Sequence, residues 1–468
     1  MTQNRFRTRF FGDRQFYRAA LLIALPIMIQ NGITNFVSML DNIMVGRLGT
    51  VEMTGVSIAN TLIFVFNLAI FGAVSGAGIF GAQFYGKGDH AGVRNAFRYK
   101  IVEGLLLLLA GSAILYFFGK PLIRLFLTGE GKASDIAASL DFGYRYVRIM
   151  LIGLPAFVLV QCYAGSLRET GQTVLPMTSG IIAVFVNCFL NWVLIFGKLG
   201  MPRLGSDGAA VATVVSRYVE ALIIVISTHR RADQHEFIRG AYRTLRIPGK
   251  LARDITKKGM PLIFNETLWA LGQSLLLQSY SLRGYAVVSA TNITSTLSNV
   301  FGVAFMAMGS SIGILVGQKL GAGKLEEAKD TDRKLIVFSV LISACFGLVM
   351  AGVSGVFPQI YRTEPAIRSL AAQFILVNAC LMPVNAYSNA AYFTLRSGGK
   401  TYVTFLFDSF FSCVVVAPVA YCLSRFTDMP ILLLYACCQG VELIKCCIGY
   451  AMIRSGIWIQ NIVKDEPQ

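Results

Sequence analysis

Histidine is almost missing from this chain: three residues in 468, at positions 90, 229 and 235. All three fall in polar segments, so the apolar parts of the sequence hold neither a zinc site nor a histidine proton relay. Charge is scarce as well, at 14% of residues, with 25 Asp and Glu against 42 Lys and Arg. A chain with so little charge, 55% hydrophobic residues and a mean hydropathy of +0.60 cannot cover a soluble globule with polar surface. Short alternating strands are lacking, which excludes a membrane β-barrel and leaves helices. No Gly-rich loop has the preceding strand or the Gly and Lys spacing that cradles a phosphate. The ten Cys lie in apolar runs in no metal-ligand pattern, and read as small packing residues rather than a disulfide framework. No cofactor and no enzymatic nucleophile cluster is visible. The basic N-terminal stretch leads into a run of full spanning length without a cleavage pattern, so it is expected to be retained as a first span.

What is present is a series of apolar runs of about 20 residues, the length that crosses a bilayer. There are twelve: 17–42, 53–80, 100–118, 144–165, 174–196, 209–228, 259–281, 286–316, 335–357, 370–394, 402–424 and 431–453. The second and eighth exceed one crossing and are expected to tilt or to break near their Gly residues. The stretch 229–258 is polar and dense in Arg and Lys, and six runs fall on either side of it. The expected organisation is an N-terminal six-helix lobe (1–228), a basic cytoplasmic linker (229–258) and a C-terminal six-helix lobe (259–468). An even number of spans per half makes the halves parallel repeats.

The halves can be laid over each other. Pro26 and Pro261 open the apolar segments LPIMIQNGITNF and MPLIFNETLWAL, 235 positions apart. At the same offset Gln83 falls on Gln318, Gly86 on Gly321 and Gly88 on Gly323. Leu167-Arg168-x-x-Gly171-x-Thr173 recurs 228 positions on as Leu395-Arg396-x-x-Gly399-x-Thr401, and Pro155 with Pro383 keeps that offset. Matched groups in the same order mark a duplicated unit.

Basic residues concentrate on one side. They include Arg5, Arg7, Arg9, Arg14 and Arg18, then Arg94, Arg98 and Lys100, the linker, and Lys319, Lys324, Lys329, Arg333 and Lys334. The opposite segments are poorer, with Arg47, Lys132, Arg362 and a few others. The positive-inside rule then puts both termini and the linker in the cytoplasm of a multi-pass inner-membrane protein. Contact with anionic lipid headgroups accounts for much of the net charge of +17. A nucleic-acid partner is not expected, because the basic residues are spread over many short loops.

Within the runs a few polar residues stand out. Asp41 lies before the end of the first, where a carboxylate should face a bundle interior or a wet cavity unless outer headgroups solvate it. Asn187 and Asn191 are spaced i, i+4 on one face of the fifth, and Thr213 follows the small residues that open the sixth. These amides and the hydroxyl either bond between helices or form an oxygen-rich site for H⁺ or Na⁺ beside Asp41. Glu266 lies in the seventh run with no base adjacent on its helix. That suits a group that exchanges protons or attracts a cationic ligand, or one that bonds a neighbouring helix. Arg217–Glu220 and Glu442–Lys445, each three apart, are expected to neutralise each other.

Over nearly its whole length the sequence resembles the multidrug and toxic compound extrusion (MATE) transporters. The residues that carry the resemblance are Asp41-Asn-Ile-Met-Val-Gly46 with Leu48-Gly49, Gly81-Ala-Gln83 with Gly86 and Gly88, and Leu167-Arg168-x-x-Gly171. They continue with Asn187-x-x-x-Asn191, Gly208-Ala-Ala-x-Ala-Thr213, Pro261 with Glu266, Gly317-Gln318-x-x-Gly321 and Leu395-Arg396-Ser-Gly-Gly399. The resemblance implies an all-α membrane protein of twelve transmembrane helices, in two six-helix pseudo-symmetric lobes around a central cavity. It also implies antiport: export of small organic, often cationic, compounds in exchange for H⁺ or Na⁺, by alternating access.

Asp41 matches the acid that couples export to the ion, with Asn187, Asn191 and Thr213 as its polar surroundings; Glu266 matches the acid of the seventh helix. Asp41 and Glu266 are then the expected contacts for both ion and substrate, and a Na⁺ site would fall at Asp41, Asn187, Asn191 and Thr213. Where some members have an Asp, this chain has Asn191. Where NorM-like members place an Asp after the Pro of the tenth helix, it reads Pro383-Val384-Asn385, so the resemblance favours H⁺ over Na⁺. The protein is expected to act as a monomer. The rival reading is a flippase of lipid-linked oligosaccharides from the same superfamily, for which a more basic cavity is expected.

Overall fold

The computed structural model describes residues 10–46, 48–127, 133–361 and 363–464. Arg5, Arg7, Arg9, Arg47, Lys132 and Arg362, which contribute to the expected orientation, lie outside the described residues. Among the described residues there is no strand, and twelve long helices follow one another. The first six are α1 (Arg14–Gly46), α2 (Thr50–Lys87), α3 (His90–Phe126), α4 (Ala133–Glu169), α5 (Val174–Phe196) and α6 (Ser206–Arg230). The second six are α7 (Gly249–Ser281), α8 (Tyr285–Gly321), α9 (Leu325–Val353), α10 (Pro365–Ser397), α11 (Thr401–Phe426) and α12 (Ile431–Ser455). In α11 the backbone widens into π-helical turns at Leu406–Phe410 and Ser412–Val416.

Eleven of the twelve are long and apolar enough to cross a membrane. The other, α7, has the length but carries Asn265, Glu266, Gln273 and Gln278 along its apolar half. All predicted runs fall on these helices, but the ninth overshoots. Helix α9 stops at Val353, and Pro358 then lies in a separate 3-10 turn, Phe357–Ile360. Of the two alternatives for the second and eighth runs, tilt or break, the break is absent: α2 and α8 continue through their glycines. The glycines there permit close approach. A methyl group on Gly78 or Gly81 would meet the Glu169 carboxylate, and one on Gly309 would meet Asn389 and Phe393.

The repeat is visible in backbone detail. Pro26 and Pro261 do not open their helices, as the sequence pattern suggested; each lies twelve residues inside, in α1 and α7. Gly88 (φ 78°) and Gly323 (φ 74°) end α2 and α8 in the left-handed region, and Gly171 (φ 80°) and Gly399 (φ 72°) do so after α4 and α10. These are the glycines that the two offsets pair.

The chain divides into two compact units. One comprises Ile29–Gly81 and His90–Ile255. The start of the basic stretch folds within it: Arg98 donates to the carbonyls of Gly240 and Ala241 (both 2.8 Å), and Phe237 and Ile238 are buried. The other comprises the described residues up to Met28, Ala82–Asp89 and those from Thr256 on. Inside this second unit the ends of α2 and α8 cross with no room between them. A methyl group on Gly86 would overlap the Gln318 carbonyl, and one on Gly321 the Gln83 carbonyl. Here too the α8–α9 connection is laced by ion pairs, Lys319–Glu327, Lys329–Glu326 (2.6 Å) and Lys334–Asp330 (2.5 Å).

Candidate functional site

In the first unit the structure brings together the four polar residues expected around the ion. Asp41 is half-buried near the end of α1, and Asn191 Nδ2 on α5 donates to its Oδ1 at 2.7 Å. One helical turn earlier Asn187 stacks on the same face, with Asn191 Nδ2 also 3.2 Å from its Oδ1. Thr213 on α6 lies 3.2 Å from Asn187 and donates to the Ala209 carbonyl at 3.0 Å. Beside an ionised Asp41 the Asn187 amide is satisfied in one setting only. Rotated by half a turn, its Nδ2 donates to Asp41 Oδ2 at 2.9 Å and its Oδ1 accepts from Thr213 Oγ1 at 3.2 Å. Asn191 Oδ1 is buried and has no hydrogen-bond partner. The available donor atoms are therefore a carboxylate, amide oxygens and a hydroxyl, a set that suits a hard monovalent cation or a proton.

Two further residues complete this cluster and escaped the sequence reading. Tyr146 on α4 is 5% exposed and lies within electrostatic reach of Asp41, with Asn60 on α2 and Thr213 as polar neighbours. Neither has a local signature, since one aromatic or one amide in an apolar run is ordinary.

Asp41, Asn187 and Thr213 line one end of a cavity of about 340 Å³ inside this unit. Phe71, Phe157 and Val160 line its middle. Towards the other end Arg168 Nη2 donates to Gln30 Oε1 at 2.8 Å, while its Nε is buried without a partner. Arg217 pairs with Glu220 at 3.2 Å, as its spacing suggested, and its guanidinium lies over the Phe157 ring at 5.3 Å.

Glu266 belongs to the second unit and to a different kind of site. The Tyr392 hydroxyl is 3.4 Å from its Oε1, and Arg396 Nη1 is 3.5 Å from that hydroxyl. The helix of Glu266 has no adjacent base, but Arg396 on α10 comes close enough to act on it electrostatically. The expected Glu442–Lys445 pair forms, but it is not the lysine's closest contact. Lys445 Nζ is 3.7 Å from Glu442 but 2.8 Å from Asp408. Asp408 stands in a π-helical turn of α11, and Asn265 donates to it at 3.1 Å. Ser409 in turn bonds Asn265 Oδ1 at 2.8 Å. Asp408 is the single acid in the run 402–424, so its signal was present in the sequence. Among the described residues Asn385, within α10, has no bond to this cluster.

The repeat shows that the two sites are not copies. At the offset of 235 Asp41 falls on Leu276, and at 228 Asn187, Asn191 and Thr213 fall on Val415, Val419 and Val441. Those four apolar residues pack into one hydrophobic cluster in the second unit. Conversely Glu266 falls on Asn31, and Asp408 on Gly180. The basic positions are shared: Arg396 falls on Arg168 and Lys445 on Arg217.

Twelve helices in a duplicated plan, with carboxylates and amides facing a cavity inside them, define an integral membrane protein of the transporter class. The family model MatE matches residues 26–193 and 261–422, and the chain belongs to that family. It is 25% identical over 422 residues to the probable multidrug resistance protein NorM of Thermotoga maritima, covering 88% of this chain and 86% of that one. Its fold is similar to a solved structure described as the outward-facing conformation of a multidrug resistance MATE family transporter of the MOP superfamily. There the TM-score is 0.84 at 17% identity, over 96% of this chain and 97% of that one. It is also similar, at TM-score 0.82 and 16% identity over the same shares, to a MOP superfamily transporter from Pyrococcus furiosus. That structure's description reports a binding pocket of reverse polarity, suggesting a different function. The fold is thus common to both, and the charge on the pocket has to distinguish them.

Proposed function

We propose that this chain is a cation-coupled exporter of small organic, often cationic, compounds, working as a monomer in the inner membrane by alternating access. The observation that carries the reading is Asp41: a carboxylate bonded to Asn191 at 2.7 Å, at one end of a cavity of about 340 Å³. Family membership and the names of the relatives support it, as does an acid in the pocket where a flippase of lipid-linked sugars calls for a basic one.

The coupling ion acts at Asp41, and H⁺ is favoured over Na⁺ because the only carboxylate among the four residues is Asp41 itself. Asn187 suits both states of that group. With its nitrogen turned to Asp41 it donates to the bare carboxylate at 2.9 Å. With its oxygen there, two oxygens face each other and need a proton or a cation between them. Loading Asp41 thus reverses one amide and removes the attraction of the cavity for an organic cation. Coupling requires that ion and drug stabilise different states, since a ligand held equally in both shifts nothing. Glu266 is the second proposed exchange group, held by Tyr392 and Arg396. The basic segments support a cytoplasmic position for both termini.

The test is efflux of a cationic dye from vesicles under a pH gradient and a Na⁺ gradient imposed separately. Export under the pH gradient alone supports protonation at Asp41 or Glu266. Export under Na⁺ alone shifts the ion site to the oxygens of Asp41, Asn187, Asn191 and Thr213. No export under either gradient moves the reading to the flippase.

A further inference from the structure

On α6 the residues Thr213, Ser216 and Glu220 turn to the cavity of the first unit. On the other side of that helix Tyr218, Leu222 and Ile226 stand four apart and are 40, 58 and 46% exposed. Apolar side chains on the outside of a helix that crosses a membrane meet acyl chains. The next position in this row is Arg230, the last residue of α6, and it is exposed. A guanidinium that ends a lipid-facing row lies at the depth of the headgroups. The chain then folds back and brings more charge to the same place. His229 stacks on Tyr242, with ring centroids 6.0 Å apart at 16°, and the Tyr242 and Tyr163 hydroxyls bond at 2.6 Å. Arg98 holds the carbonyls of Gly240 and Ala241. Tyr242 is thus pinned beside the last turn of α6, with Arg243, Leu245 and Arg246 exposed just after it. No acid occurs from Phe237 to Arg253. The two acids before that stretch, Asp233 and Glu236, are engaged by Arg239 and His90. Among the described residues none of Arg230, Arg243 and Arg246 has an acid within ion-pair distance.

We propose that Arg230, Arg243 and Arg246 bind the headgroup of an anionic phospholipid of the phosphatidylglycerol class, whose acyl chains lie along Tyr218, Leu222 and Ile226. Leu245, 52% exposed and next to Arg246, dips into the same interface. The inference rests on the helices crossing a membrane and not on what they export. A zwitterionic lipid brings its own ammonium to its phosphate and gains little from three guanidinium groups, whereas an anionic lipid keeps its net charge for them. RNA or free phosphate would meet the same charge but has nothing to lay along the apolar row. Bound there, the lipid fastens the connection between α6 and α7 to one leaflet.

The test uses the full chain with Leu245 replaced by the photo-crosslinker p-benzoylphenylalanine. It is placed in nanodiscs of equal parts phosphatidylcholine and phosphatidylglycerol with matched acyl chains, and irradiated. Mass spectrometry counts the lipid adducts, and size-exclusion chromatography checks that each variant is folded. The expected result is an excess of phosphatidylglycerol adducts of about fivefold or more. With Arg230→Gln, Arg243→Gln and Arg246→Gln together the ratio falls to about one, and with Lys at the three positions, which keeps the charge, it returns. Equal adducts of the two lipids before any Arg is changed overturn the inference, as does a ratio that the three Gln leave unchanged. The absence of any lipid adduct overturns it too, because Leu245 then lies outside the membrane. Loss of the phosphatidylglycerol excess on adding inorganic phosphate or poly(U) overturns it in favour of a soluble anion.

Discussion

Asn191 holds Asp41 through one atom of its amide and leaves the other free: Nδ2 is 2.7 Å from the carboxylate, and Oδ1 is buried with no partner. An amide set this way supports the bare carboxylate and still has an oxygen to offer when an ion arrives. Asp41→Asn removes the exchangeable charge but keeps shape and hydrogen bonding. Export driven by either gradient should drop to the level of empty vesicles, while the variant elutes as a folded protein in detergent. Undiminished dye efflux from Asp41→Asn would take this residue out of the mechanism.

Asp408 and Lys445 make a buried ion pair on two helices of the second unit, with Asn265 as third member. Lys445→Met leaves Asp408 without its cation in a protein interior, a loss on the order of 3–5 kcal/mol. The double variant Asp408→Asn with Lys445→Met removes the stranded carboxylate, leaves Glu442 with its bond from Ser388, and should regain most of that loss. Thermal unfolding in detergent reads both. A double variant no more stable than the single one would mean that the pair is not the unit of stability.

How far the sequence revealed this arrangement depended on whether partners share a helix. Asn187 and Asn191 were legible because a spacing of four stacks them, and Asp41 because an acid interrupts an apolar run. Twelve long helices, eleven of them apolar enough to span, and the duplication followed from hydropathy and from matched Pro, Gly and Leu-Arg groups. What was not legible was side-chain pairing across helices. Lys445 was assigned to Glu442, three residues away, whereas its closer partner Asp408 is 37 residues away and aimed by a π-helical turn that no periodicity announces. Tyr146 and Asn60 were missed for the same reason. The glycines of α2 and α8 were read as weak points, and the structure uses them as places of close approach.

Gln83 illustrates long-range pairing at its most extreme. It is fully buried; its Nε2 donates to the carbonyls of Ser397 (2.9 Å) and Gln460 (3.2 Å), and its Oε1 accepts from the Ile462 amide (2.9 Å). The segment after α12 is thereby fastened to the end of α2. Gln83→Leu leaves three backbone groups unpaired, each costing about 1–3 kcal/mol where water cannot reach. A limited-proteolysis time course should show cleavage after Ser455 accelerated in this variant. Equal cleavage of variant and wild type would assign the fastening to other contacts.

Gly86 and Gly321 should tolerate no side chain at all, because each faces a carbonyl of the opposite helix. Ala at either position forces α2 and α8 apart at their crossing, and the two single variants should be equally damaging, since the contacts mirror each other. Gly88→Ala serves as the comparison, with open space around it and a strained φ of 78° as its only defect. Yields of folded protein should rank wild type, then Gly88→Ala, then the two crossing variants.

The sharpest consequence of the repeat concerns Leu276, the counterpart of Asp41. It packs with Val415, Val419 and Val441, where the first unit has Asn187, Asn191 and Thr213. Leu276→Asp alone puts a carboxylate into a dry cluster with no donor, and insertion of such a charge costs about 2.5–3.5 kcal/mol. Adding Val415→Asn, Val419→Asn and Val441→Thr supplies the amides and hydroxyl that surround Asp41. If side-chain chemistry alone makes the site, the fourfold variant should recover thermal stability relative to Leu276→Asp and gain a second ion-dependent shift in its melting temperature. If it stays as unstable as the single variant, the π-helical turns of α11 hold the backbone in a different register from α5, and the second unit lacks the frame as well as the residues.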